Sequence, residues 1–77
     1  MTLDQLRVFL AVAGTEHVTR AAQALNMTQS AVSAAIAALE ARHDVRLFDR
    51  VGRNIALTDA GRRFVPHARA LVQQVEA

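Results

Sequence analysis

Cysteine, lysine, tyrosine and tryptophan are all missing from this 77-residue chain. Without cysteine there can be no disulfide, thiol nucleophile or thiolate metal ligand, a composition that fits a reducing compartment. Long apolar runs are missing too: the stretch 34–39 falls far short of the ~20 residues that a membrane-spanning helix needs. The opening "MTLDQLRVFL" carries Asp4 and has no basic leader, so the expectation is a soluble, cytoplasmic protein. A chain of this length buries only about 60–65% of its unfolded surface, which places a single domain near the lower limit of independent stability; a dimer partner would help.

No catalytic constellation is found either. His17, His43 and His67 fall in different predicted elements, no pair has the i, i+4 spacing of a helical metal site, and there is no glycine-rich phosphate loop. Each histidine is expected to be a solvated surface side chain. The seven carboxylates are scattered, and most read as partners for nearby arginines. The expectation is a protein that is no enzyme and holds no metal or cofactor.

What the chain does contain is unevenly placed. Its net charge is only +2, yet residues 1–40 hold two arginines against three acids, while residues 41–77 hold seven against four. Basic surface therefore belongs to the second half. That every cation is arginine favours planar, bidentate contact with phosphate or guanine, and it equally fits the codon use of a GC-rich genome.

Apolar residues at Leu3, Leu6, Phe9, Leu10 and Ala13 follow the spacing of an amphipathic helix, with Thr2 as its N-cap and Gly14 as its end. "VTRAAQAL" reads as a second helix, capped by Thr19 with Val18 in a staple position; Asn26 is a turn residue. Thr28 caps a third helix reaching about Arg42, with His43 and Asp44 as its exit. Two helices joined across residues 26–28 make a helix-turn-helix. "VRLFDR" and "RNIALT" then read as two short strands around "VGR", where Gly52 supplies a positive φ, so the pair looks like a β-wing. Thr58 caps a last helix with Asp59 in its first turn. Gly61 and Pro66 work against that helix, but Phe64, Ala68, Leu71, Val72 and Val75 keep one apolar face on both sides of Pro66, which predicts one kinked helix and not two.

On the third helix the face opposite Val32, Ile36 and Leu39 carries Ser30, Ser33, Ala34, Ala37 and Ala41, small enough for a close approach to another surface. Thr28, Gln29, Ser30 and Ser33 are polar at its first turns, where a helix-turn-helix presents base-reading residues and where free N–H groups favour a phosphate. The helix alone is equally an ordinary amphipathic one. Arg46, Arg50 and Arg53 around the hairpin tip the balance, since a basic wing beside such a helix can follow phosphates or enter a narrow minor groove. Two other readings stay open: a helical protein-interaction module, and an RNA-binding winged helix, against which the absence of Tyr and Trp argues mildly.

With these elements laid out, "LDQLRVFLAVA", "TRAAQALNMTQSAVSAAIAALE", "VRLFDR" and "LTDAG" together resemble the N-terminal DNA-binding domain of LysR-type transcriptional regulators, over essentially the whole chain. The resemblance implies a mainly α fold: a winged helix-turn-helix with a short two-stranded β-wing in residues 1–58, and a long C-terminal linker helix, residues 59–77, through which two subunits dimerise. It implies double-stranded DNA as partner, a homodimer (or a tetramer of the full-length protein), and a small-molecule effector only for a further domain that this chain lacks. Carried over by position, Thr28 matches a phosphate-contacting cap, Gln29 and Ser33 match base or backbone contacts, and Thr19 and Arg20 match a site facing the sugar-phosphate backbone. Arg50 and Arg53 match wing contacts, while Ala68, Leu71, Val72 and Val75 match the dimer-forming stripe. Ser30 and Ala34 depart from the family, standing where many members have proline and arginine; Ala35 likewise replaces a common glutamine. An arginine at 34 could grip guanine, so readout is expected to lie with Gln29, with Ala34 and Ala37 against thymine methyl groups, and with DNA shape. The helix phrase also resembles that of members regulating carbon-fixation or sulfur-assimilation operons.

Overall fold

The computed structural model describes residues 1–52 and 54–76. Four helices and one hairpin follow in the order α1 (Leu3–Thr15), α2 (Val18–Leu25), α3 (Gln29–His43), β1 (Phe48–Val51), β2 (Asn54–Leu57) and α4 (Asp59–Glu76). This is the mainly α winged helix-turn-helix expected from the sequence.

Three threonines start helices as anticipated. The Gln5 N–H donates to Thr2 Oγ1 and the Thr2 N–H to Gln5 Oε1, closing a capping box; the Ala31 N–H donates to Thr28 Oγ1 (3.1 Å) and the Gly61 N–H to Thr58 Oγ1 (3.0 Å). The fourth start differs. His17, not Thr19, caps α2: its Nδ1 accepts the Arg20 N–H at 3.2 Å, its backbone is extended, and Val18 is already the first helical residue. His17 is thus half-buried and engaged, not simply solvated. Gly14 does not end α1 either. The helix runs on to Thr15 and closes at Glu16, whose φ of 51° is left-handed and whose N–H donates to Val12 O. Asn26 and Asp44 end α2 and α3 in the same way, at φ 55° and 50°.

The strands are shorter than the runs that announced them. Residues 45–47 form a connection, and pairing starts at Phe48↔Leu57 and closes at Val51↔Asn54, with Gly52 at φ 62°. α4 continues through Pro66 as one helix. Gly61 sits in its first turn because α4 lies on the chain there: a Cβ at Gly61 would stand 2.2 Å from Leu47 O.

α1 packs against α2, α3 and α4, and the core gathers around it. Phe9, Val12, Ala21, Val32, Leu39 and Ala68 are fully buried. All three phenylalanines of the sequence meet here, the Phe9 ring 5.6 Å from that of Phe48 at the base of the wing and 5.1 Å from that of Phe64 on α4. No buried polar side chain occurs among the described residues, so the interior is held by apolar burial and every polar tie lies nearer the surface. Among those residues no helix is long and apolar enough to cross a membrane.

Candidate nucleic-acid interface

α3 buries Val32 and Leu39 and half-buries Ile36, which turns the opposite side outward. Thr28, Gln29, Ser30, Ser33, Ala34 and Ala37 are all exposed there. Because Thr28 spends its side-chain oxygen on the Ala31 N–H, the remaining free N–H groups of the first turn stay available to an anion. Thr19 and Arg20 are exposed in the first turn of α2.

The wing completes the surface by strand periodicity. Phe48 is buried, so Arg50, two residues on, stands on the same face of the hairpin and leans toward the helices. Thr19, Gln29, Ser33 and Arg50 border one open depression between α2, α3 and the wing. Ser33 and Arg50 also border its neighbour, together with Ala37. Arg20 opens onto a third depression, beside Val51 and Asn54. Thr28, Ser30 and Ala34 lie on the exposed face of α3 without lining any of these depressions. Arg53 lies outside the described residues.

Two participants were not singled out by sequence reasoning. His17 and Asn54 border the same depression as Gln29 and Arg50. Asn54 could have been noticed as the polar residue opening the second strand; nothing in the sequence marks His17.

Electrostatics separate the arginines. Arg46 is paired with Asp49 (3.5 Å) and also donates to Phe48 O; Arg62 pairs with Asp59, and Arg7 with Glu76 at 2.6 Å. Among the described residues no carboxylate pairs with Arg20 or Arg50, so their charge is open to an incoming anion. Among the described residues three of the seven carboxylates, Asp49, Asp59 and Glu76, pair with arginines. Glu16 and Glu40 accept backbone N–H groups instead.

The apolar stripe of α4 divides between two surfaces. Ala68 and Val72 are buried in this chain's own core, whereas Leu71 and Val75, 39% and 65% exposed, remain outward. No group of three or more potential metal ligands gathers among the described residues.

This geometry has close counterparts. The DNA-binding domain of CbnR, solved as a DNA complex, superposes with a TM-score of 0.94 at 36% identity, covering 99% of this chain and 87% of that one. A BenM DNA-binding domain in complex with benA site 1 DNA gives 0.92 at 33% identity, covering 99% and 88%. The uncharacterized HTH-type transcriptional regulator YvbU of Bacillus subtilis (strain 168) is 49% identical over 77 residues, and the chain spans 26% of its length. Residues 3–62 match the family described as "Bacterial regulatory helix-turn-helix protein, lysR family". A match of this extent, joined to the winged helix-turn-helix and its exposed α3 face, means that the chain belongs to the LysR family of bacterial regulatory proteins.

Proposed function

We propose that this chain binds double-stranded DNA in a sequence-dependent way, as the DNA-binding part of a LysR-type regulator. The observation that carries the proposal is the convergence of Thr19, Gln29, Ser33 and Arg50, from three separate elements, around one open depression. The DNA complexes of CbnR and BenM, at 36% and 33% identity, support it. In this reading the N-terminal turns of α3 enter the major groove, the wing lies over the flanking minor groove, and Thr28 and α2 hold phosphates. Residues 1–58 do the reading; 59–77 carry the contact between two copies, which Leu71 and Val75 make and which sets two α3 helices on an interrupted palindrome. An effector, and any tetramer, belong to a larger protein.

Anisotropy titration on duplex DNA tests this, with affinity expected to fall steeply as salt rises. Negligible, salt-insensitive binding would sink it. Arg50→Ala is expected to weaken all sequences by a similar factor and to reduce the salt slope by about one, whereas Gln29→Ala shifts preference among sites. Equal losses on selected and random duplexes for both variants contradict the division of labour. Ala34→Arg probes the seating of α3: placed in the groove, the new guanidinium gains about 1–3 kcal/mol of preference for guanine at one position, read by selection from a random duplex pool. An unchanged selected motif means that α3 sits elsewhere.

A further inference from the structure

Glu16 and Glu40 hold opposite edges of the wing at a single rung. Phe48 and Leu57 face each other as the first pair of the hairpin. In an antiparallel ribbon, facing residues alternate between exchanging both hydrogen bonds and exchanging none, and in the second kind the N–H groups point away from the partner strand. Here both find carboxylates. Glu40, in the last turn of α3, accepts the Leu47 N–H (2.7 Å) and the Phe48 N–H (3.3 Å) on Oε2. Glu16, between α1 and α2, accepts the Leu57 N–H on Oε2 at 3.1 Å.

Neither carboxylate pairs with an arginine among the described residues. Glu16 further occupies a left-handed cap, φ 51°, a conformation that glycine adopts without steric penalty and that other residues adopt at a cost. A glycine there would end α1 more easily but would leave the Leu57 N–H without its carboxylate. One acceptor precedes the helix-turn-helix and the other lies near its end, and they hold facing residues of the two strands, so together they oppose rotation of the hairpin about its own base. Arg50 stands two residues beyond the clamped rung on β1, and its position relative to Gln29 and Ser33 follows from that clamp.

We propose that Glu16 and Glu40 are positioning residues for DNA binding: without touching DNA, they fix the angle between the wing and α3 and so set where Arg50 reaches. The inference rests on the reading that the wing meets DNA. Its test therefore has one arm without DNA and one with it. In the first, the 15N-labelled chain and its Glu16→Ala, Glu16→Gln and Glu40→Gln variants are compared by Leu57 and Phe48 amide exchange and by residual dipolar couplings of β1 and β2 against α3. Glu16→Ala, at an exposed site, is expected to keep the helices intact, speed Leu57 exchange about tenfold or more and reorient the wing. Both glutamine variants, each retaining an acceptor oxygen, keep the wing as it was.

The second arm measures Arg50→Ala in each background, by anisotropy on a fluorescein-labelled duplex pool of random sequence. The Arg50→Ala loss is expected to shrink about threefold or more in the Glu16→Ala background and to return in Glu16→Gln, a coupling that a change in stability alone does not produce. Unaltered Leu57 exchange and unaltered couplings in Glu16→Ala overturn the positioning role. A wing that reorients while Arg50→Ala costs nothing in any background instead overturns the contact between wing and DNA, and with it the part of the proposal that concerns binding, while the hold of Glu16 on the wing angle stands.

Discussion

Phe9→Ala is expected to lower the stability of the domain by about 3–5 kcal/mol, the cost of emptying a fully buried aromatic site. A domain of this size has roughly 4–12 kcal/mol in total, so the loss takes a large share of it. At about 4–8 °C per kcal/mol, the circular-dichroism melt should move down by at least roughly 12 °C. The effect reaches beyond α1, because the Phe9 ring rests on Phe48 at the root of the wing and on Phe64 in α4. A shift of less than about 5 °C would mean that the three rings do not form the keystone of the core. Phe9→Leu, which refills most of the volume, should recover the greater part of the loss.

Gly61→Ala is the second large effect, and its sign is the informative part. Helix propensity alone favours alanine by about 1 kcal/mol in a helix interior. Against this, the added Cβ would stand 2.2 Å from the backbone oxygen of Leu47 and 2.8 Å from Leu57 Cδ2. A backbone carbonyl cannot swing aside as a side-chain end can, so α4 or the connection at Leu47 must move. Overpacking of this kind costs about 1–3 kcal/mol, and because the clash is with backbone the upper part of that range applies, leaving a net destabilisation of up to about 2 kcal/mol after the propensity gain. Gly14→Ala is the matched control: it lies in α1 with nothing within 4 Å of its Cβ position, and it should stabilise by about 0.5–1 kcal/mol. Chemical denaturation of the two variants checks the pair. If Gly61→Ala and Gly14→Ala both stabilise, the close approach of α4 is not as described.

Much of this architecture is legible in the sequence because local chemistry dictates it. Thr2, Thr28 and Thr58 precede apolar-periodic runs and cap them, and Gly52 marks the hairpin turn. The misread boundaries share one cause: a residue usually found in a role stood next to the residue that fills it. Thr19 is a common capping type, yet the imidazole two positions earlier takes the N–H; Gly14 is a common helix end, yet Glu16 adopts the left-handed turn. The α4 stripe shows a different limit. Helical periodicity finds apolar residues on one side but cannot say whose surface covers them, and Ala68 and Val72 proved to be covered by the chain itself. Within the candidate interface, Gln29 and Ser33 are legible as polar residues at the start of a helix-turn-helix's second helix and Arg50 as part of a basic hairpin, and the fold brings them to one depression. Glu16 and Glu40 escaped because their partners are 41 and 7–8 residues away and are backbone amides, which no pattern of side chains announces.

The connections between elements are very short: Glu16 and His17 join α1 to α2, residues 26–28 join α2 to α3, residues 44–47 lead to the wing, and Thr58 alone separates β2 from α4. Such joints leave the protein little freedom to reshape itself around a ligand. Less ordering entropy is then spent at the moment of contact, and preorganisation of this kind favours tight association. It also shifts the burden of adaptation. If α3 and the wing meet DNA as proposed, a duplex whose groove width or curvature does not match the spacing between them must itself bend or narrow, at an elastic cost that varies with its sequence. On that reading the stiffness of the frame becomes a source of discrimination at base pairs that no side chain touches.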